Sequence, residues 1–486
     1  MMAHDGSASL TLLTDFYELS MMQGYFLQKE NPRVVFDMFF RRQPFGGGFA
    51  VFAGLEDVLR YIGSLSFRAD DLAYLRSLGS FRPEFLDYLE GFRFTGDLWA
   101  MDEGMLAFPG EPLVRVHASL MEAQLIESAL LAIINFQTLI ATKSARVCLA
   151  ANGGTVIEFG LRRAQGIDGA LSASRAAYIG GAAATSNTLA GKHFGMPVRG
   201  TMAHSWVMAF ESERESFEKY AETYPDGALL LIDTYDTLGS GIENAIAVGR
   251  KLKDAGHGNF GVRLDSGDLE YLSKKVRERL DEAGLEDARI VASNELDEHI
   301  IDQLITRGAP IDIWGVGTNL VTAGGDPALT GVYKISAREK DGLYVPTIKV
   351  SNNPEKTTNP GVKQVWRFTN GGGSPIADLI CLADEEPDPR RPYTFNHPSG
   401  DYRKFVLSDY ARITPLLGIR MKAGSIVGEL PAIAAIRSRA CEEIDRLDDT
   451  YKRLINPHVY KVSLSNRLNE LKTRLVKESL SQGRHQ

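Results

Sequence analysis

Four short stretches of the chain place ionisable side chains or glycines at the ends of apolar segments, where they could do chemistry. Arg263 and Asp265 stand two apart as the apolar run Phe260 to Leu264 ends, so the period-2 alternation of a strand points both side chains to one face. A guanidinium there can hold a carboxylate or phosphate in a fork, and a carboxylate can hold ribose hydroxyls or a metal ion. The bland alternative is a buried ion pair that satisfies only itself. Gly315-Val316-Gly317-Thr318-Asn319 can present backbone N–H groups and a hydroxyl to phosphate oxygens, or form a plain turn, with Gly324-Gly325 close behind. Gly200 through Trp206 follow the short strand around Pro197-Val198 and set His204 beside the hydroxyl of Thr201. That imidazole could be a base, a donor, a phosphoryl acceptor or a satisfied structural residue. Glu158 through Gly166 bring Arg162 and Arg163 to a loop, either to meet an anion or as a solvated basic turn.

The elements that must position these groups are short strands alternating with amphipathic helices from about residue 153, the signature of βα units and a parallel sheet. Apolar strands are expected at 228–232, 260–264, 289–292 and 311–316, with ends about 23 to 32 residues apart, a plausible length for strand, loop and helix. Their ends carry Asp233, Arg263 with Asp265, Asn294, and Gly317 with Thr318, at the rim where parallel α/β folds keep their ligands. Asp233 or Asn294 alone could be a helix cap; four polar ends in register argue against capping as the whole explanation. Upstream, a helix is expected over Asp15 to Leu27, a strand over Val35 to Phe40 and a long helix over Ser119 to Lys143. Gly46-Gly47-Gly48 after Arg41 and Arg42 read as a hairpin connection or a phosphate-approaching loop. Residues 346–402 hold eight of the 20 prolines, Pro354 among them, and predict a loop-rich excursion. Ile433 to Ile455 and Leu464 to Leu480 read as packing or dimer helices.

Composition bounds the function classes. A chain of 486 residues is too long for one core, and 44% hydrophobic with 24% charged residues is a soluble globular balance. With a net charge of −8 and a sequence pI near 5.7, there is no general attraction to nucleic acid or anionic membrane, so an anionic ligand needs a local site. Cys148, Cys381 and Cys441 are odd in number and form no zinc spacing, which fits a reducing cytoplasm. No run reaches the roughly 18 apolar residues of a membrane span, and His4 and Asp5 stand where a signal peptide would be basic and apolar.

At these residues the chain resembles the nicotinate phosphoribosyltransferase family. Thr14-Asp15-Phe16-Tyr17, Glu158 through Gly166, Gly200 through Trp206, Gly261 through Asp268 and Gly315 through Asn319 are similar to that family's motifs, in its order. Similarity runs from about residue 10 to 385, including Asn353-Pro354-Glu355-Lys356 and Pro360-Gly361 with Lys363. The resemblance implies an α/β architecture. Residues 1–150 would form an N-terminal α/β domain that later segments could complete. Residues 151–345 would form an irregular α/β barrel carrying the site, and 346–486 a loop-rich segment with C-terminal helices. It implies a homodimer with the active site near the subunit boundary. The implied reaction joins nicotinate to 5-phosphoribosyl 1-diphosphate, releasing diphosphate and nicotinate mononucleotide for NAD biosynthesis, with ATP as co-substrate and Mg²⁺ accompanying the phosphates. By the same resemblance His204 accepts phosphate from ATP, Tyr17 and Thr201 contact nicotinate, Arg263 lies near the pyridine acid, and Thr318 contacts the phosphoribosyl donor. Asp265 and either Arg162 or Arg163 fall at active-site positions, and the metal ligands stay unassigned.

Three rivals stay open. A nicotinamide phosphoribosyltransferase would share most of these residues but needs an acceptor for an amide NH₂. A phosphosugar aldolase or isomerase is disfavoured because the strand ends carry no lysine for a Schiff base. A non-catalytic binding protein would hold the ligands without releasing diphosphate.

Overall fold

The computed structural model describes residues 9–351, 353, 356–398 and 404–482; His4, Asp5, Pro354 and Glu355 of the sequence analysis lie outside them. The chain forms two compact units, one of Ile140–Pro327 and one combining residues 2–139 with 328–486.

The first unit is the βα body. Strands Thr155–Glu158 (β1), Ala184–Thr185 (β2), Leu229–Leu231 (β3), Gly261–Leu264 (β4), Arg289–Ala292 (β5) and Ile313–Val316 (β6) make one sheet ordered β2-β1-β6-β5-β4-β3. Every pairing is parallel, and an isolated parallel bridge joins Thr185 to Val198 beyond β2. Leu231 lies opposite Arg263, Arg263 opposite Val291, and Val291 opposite Ile313. The strands therefore end along one rim. Their runs are short, aliphatic and mostly buried, as expected where helices cover a parallel sheet. Those helices include Ile242–Asp254, Leu269–Glu282 and Glu298–Thr306, which bury Ile242, Ala245 and Leu252, then Val276 and Leu280, then Ile301 and Leu304. Ile157, Ala184, Val291 and Ile313 pack together with Phe159 and Leu229 at the inward positions of alternate strand residues.

In the second unit a seven-stranded antiparallel sheet runs in the order Leu343–Pro346, Gly331–Lys340, Arg33–Phe40, Val114–Ser119, Asp97–Ala100, Gly418–Lys422 and Ser425–Ile426. Arg33–Phe40 is buried on both faces except at its first residue and Phe39. The expected early helix spans Phe16–Gln28. The expected single helix over Ser119 to Lys143 is two, Leu120–Leu125 and Glu127–Ala150; Ser119 caps the first by accepting from the Glu122 N–H at 3.4 Å. Gly46 closes a short 3-10 turn, Pro44–Gly46. The proline-rich stretch does contain loops, at Pro387, Pro389 and Pro392, but Lys363–Thr369, Pro375–Leu382 and Tyr393–Asn396 are strands of a second sheet. Pro375 is tolerated because it opens its strand. In that sheet Pro375–Leu382 pairs in parallel with Lys461–Leu464, and the terminal helices are Ile433–Arg446 and Asn466–Gln482.

Candidate active site

Arg263 is the hub of the rim of the first unit. Its side chain is only 13% exposed, so its charge requires partners. Nε donates to Ser293 Oγ at 2.8 Å, Nη1 to Thr201 Oγ1 at 2.8 Å and to the Met202 carbonyl at 3.3 Å, and Nη2 to Asp265 Oδ1 at 2.9 Å. The face shared by Arg263 and Asp265 in the sequence is thus a real contact. Of the five N–H groups of a guanidinium, four have protein acceptors among the described residues. The fork expected for a substrate anion is largely taken up internally; one N–H and the positive charge remain to face it. The guanidinium also lies 5.7 Å from the ring centre of Phe159, within cation–π range.

Asp265 joins Arg263 to His204. Burial pushes its carboxyl pKa up, but the Ser293 hydroxyl, the Arg263 charge and hydrogen bond, and His204 outweigh this and hold it below the usual aspartate value. Asp265 Oδ2 stands 3.7 Å from His204 Nε2. His204 opens the short helix His204–Met208, and its Nδ1 shares a hydrogen bond with Thr234 Oγ1 at 3.1 Å. Its side chain is 40% exposed, so one edge of the ring is reachable. Asp233 Oδ2 accepts from the Asp265 N–H at 2.9 Å and from Ser266 Oγ at 2.6 Å, while its Oδ1 is buried without a hydrogen-bond partner among the described residues.

Capping does not explain these carboxylates and amides. The helix caps are Asp236, Asp268 and Asp297, whose side chains accept from first-turn N–H groups, a few residues beyond Asp233 and Asn294. Asn294 is exposed at φ 107°, a backbone region that few non-glycine residues enter. Thr318 begins the short helix Thr318–Val321 after Gly317, and its hydroxyl donates to Glu295 Oε1 at 3.2 Å. At Gly317 a Cβ would come to 3.2 Å from the Phe159 carbonyl oxygen, so a side chain there would crowd the turn. Arg162 and Arg163 are both exposed on the turn after β1. Tyr17 belongs to the other unit, on the first turn of Phe16–Gln28, and is 48% exposed.

The structure brings together Thr201, His204, Asp233, Arg263 and Asp265, and it adds Ser293, Thr234 and Phe159, which the sequence did not single out. Ser293 is the linchpin among these: its hydroxyl accepts from Arg263 and donates to Asp265. A cavity of about 660 Å³ lies towards the N-terminal ends of the same strands, lined by Thr155, Leu229, Asn259, Arg289 and Ile313 and reaching Phe159 and Thr201; Arg263, Asp265 and His204 do not line it. No group of three or more acidic, histidine or cysteine side chains able to hold a metal occurs among the described residues. Asp233 Oδ1 offers one hard oxygen, which fits a Mg²⁺ that takes its other ligands from substrate phosphates and water.

A parallel sheet whose C-terminal rim carries an ionic cluster and a glycine turn defines an α/β protein with a candidate site at that rim. Residues 12–135 match the nicotinate phosphoribosyltransferase N-terminal domain, 155–370 the nicotinate phosphoribosyltransferase family, and 362–472 its C-terminal domain. A nicotinate phosphoribosyltransferase of Bacillus subtilis is 46% identical over 97% of this chain and 97% of its own length. The Homo sapiens nicotinate phosphoribosyltransferase is 34% identical, covering 96% of each chain. The crystal structure of human nicotinic acid phosphoribosyltransferase superposes with a TM-score of 0.84 at 32% identity, over 96% of this chain and 100% of that one. The chain belongs to the nicotinate phosphoribosyltransferase family.

Proposed function

We propose that the chain joins nicotinate to 5-phosphoribosyl 1-diphosphate, forming nicotinate mononucleotide and diphosphate with ATP as co-substrate, in the salvage of nicotinate for NAD. The observation that carries this reading is the single bonded cluster of Thr201, Arg263, Asp265 and His204 at the rim of the parallel sheet. Arg263, locked by four acceptors and lying over the Phe159 ring, presents fixed positive charge at the rim, which suits an aromatic acid with its carboxylate turned to the guanidinium. Because the charge is held in place before substrate arrives, little reorganisation is needed as the pyridine nitrogen meets the ribosyl carbon. Gly317 and Thr318 are the proposed contacts of the phosphoribosyl donor, with Asn294 and an arginine of the 162–163 pair at the same rim. Mg²⁺, when bound, neutralises charge on the departing diphosphate; Asp233 would hold it together with the phosphates.

His204 is the proposed acceptor of the γ-phosphoryl group of ATP, the imidazole nitrogen bonding phosphorus as ADP leaves. The contact of Nδ1 with Thr234 fixes the ring plane and turns Nε2 towards Asp265, which orients the ring. Tyr17 is proposed as a nicotinate contact from the family likeness. A homodimer and a cytoplasmic location are carried on the same likeness.

Incubation with nicotinate, phosphoribosyl diphosphate and Mg²⁺, with and without ATP, followed by measurement of mononucleotide and diphosphate, tests the proposal. Turnover of nicotinamide equal to that of nicotinate would refute the substrate assignment, and absence of diphosphate release would refute the reaction.

A further inference from the structure

We infer that Glu18 is a positioning residue for Tyr17: its carboxyl holds a proton on the acid side of neutrality, that proton closes the hydrogen-bonded turn Thr14–Glu18, and its loss lets Tyr17 move. The inference rests on the proposed nicotinate contact of Tyr17.

Counting protons in the turn leads to it. Glu18 lies on the first turn of Phe16–Gln28 and is fully buried, at 0% exposure. Thr14 Oγ1 is in hydrogen-bonding contact with Glu18 Oε2 and 3.1 Å from the Leu125 carbonyl. Ser128 Oγ contacts Asp15 Oδ2 and lies 2.9 Å from Glu18 Oε1, and it also accepts from the Asp15 N–H at 3.3 Å. Two hydroxyls supply two protons, yet they face four acceptor oxygens. With both carboxylates ionised, two of these oxygen–oxygen contacts hold no proton. A proton on Glu18 Oε2 donates to Thr14, frees the Thr14 hydroxyl for Leu125 and leaves Ser128 to serve Asp15, so that the contacts without a proton fall from two to one, that of Ser128 Oγ with Glu18 Oε1. Asp15 is exposed and Glu18 is not, so the extra proton belongs on the buried partner.

The surroundings agree. Helix Glu127–Ala150 brings Glu127 as well as Ser128; strand Gly331–Lys340 brings Tyr333 and Lys334, and Lys334 pairs with Glu127 at 3.4 Å. Helix Leu55–Ser64 brings the Tyr61 hydroxyl, and the turn itself brings Asp15 and Tyr17. Burial pushes the Glu18 carboxyl up to about 7; hydrogen bonds from Thr14 and Ser128 oppose this, while the Glu127 and Asp15 charges add to it. The Tyr17 hydroxyl is pushed up to about 12 by burial, then by Glu127 and Glu18. An ionised Glu18 would add a third negative charge beside Asp15 and Glu127 and break the turn that carries Tyr17.

The test is KM for nicotinate from pH 6 to 9 at saturating phosphoribosyl diphosphate and ATP, in the wild type, Glu18→Gln and Tyr17→Ala. Wild-type KM should rise roughly two- to tenfold above pH 7, the size of one lost aromatic contact, with kcat changing less. Glu18→Gln, neutral at every pH, should keep the low-pH KM throughout. Tyr17→Ala should show the raised KM at all pH values. A Glu18→Gln profile that follows the wild type overturns the Glu18 role while leaving Tyr17 in place. An unchanged KM in Tyr17→Ala overturns the Tyr17 contact and this inference with it. If Glu18→Gln does not fold, infrared titration of the wild type decides: a carboxylic-acid band must disappear as pH rises through about 7, and its absence at pH 6 overturns the proposal.

Discussion

Replacing Arg263 by lysine keeps the charge and removes the geometry. The guanidinium reaches Ser293, Thr201, Met202 and Asp265 with Nε, Nη1 and Nη2, at 2.8 to 3.3 Å. A lysine ammonium is one nitrogen with three donors in a cone, so it cannot reach acceptors spread around three nitrogens and loses at least two of the four bonds. Hydrogen bonds to charged groups are worth about 1.5–3 kcal/mol each, and with the side chain 13% exposed water replaces only part of that. A net loss of about 2–4 kcal/mol lowers kcat/KM for nicotinate by roughly 30- to 1000-fold at about 1.4 kcal/mol per decade. Initial rates of mononucleotide formation at varied nicotinate, with thermal unfolding as the control for folding, measure this directly. A folded Arg263→Lys protein within about threefold of wild-type kcat/KM would show that positive charge alone suffices and that the four fixed hydrogen bonds of Arg263 do not matter to the reaction.

Three further outcomes follow from the same geometry. His204→Ala should lose the stimulation of mononucleotide formation by ATP while retaining a slower ATP-independent reaction, and a variant stimulated as strongly as wild type excludes the phosphoryl-acceptor role. Asp265 has a depressed folded pKa, so the unfolded chain takes up its proton first on acidification. Its stabilising contribution is full above about 3.8 and lost as pH falls through the lower folded value, so urea midpoints of the wild type and Asp265→Asn should converge below pH 4. Glu298 sits buried between Lys143 and Arg146, with Arg146 Nε at 2.9 Å and both cations 3–4% exposed. Glu298→Ala takes the carboxylate from between two buried cations and should cost about 3–5 kcal/mol in a denaturant titration; an unchanged midpoint would mean their other partners already satisfy them.

The rim was legible because each strand is a short apolar run that stops at a polar residue. The strand ends expected at 232, 264, 292 and 316 fall at or one residue beyond those of Leu229–Leu231, Gly261–Leu264, Arg289–Ala292 and Ile313–Val316. The two-residue spacing of Arg263 and Asp265 carried their contact in the sequence itself. Ser293 and Thr234 could not be found that way: they matter through the register of neighbouring strands about 30 residues apart, and a lone hydroxyl has no distinguishing pattern. The break at Ile126 was equally silent, since neither glycine nor proline marks it. Proline density around 346–402 concealed the strands there, because turns at sheet edges use the same residues as extended loops.

One feature of the chain's layout bears on its birth. Ile140–Pro327 is continuous and can close on itself as it leaves the ribosome, whereas residues 2–139 belong with 328–486. Strand Arg33–Phe40 takes Val114–Ser119 as one neighbour but Gly331–Lys340 as the other, so half of its amides wait for a segment made some 300 residues later. The last strand of the companion sheet, Lys461–Leu464, is translated later still. At roughly 5–20 residues per second, the nascent amino-terminal portion spends on the order of ten seconds or more with an open sheet edge, which is the interval in which a chaperone would meet it.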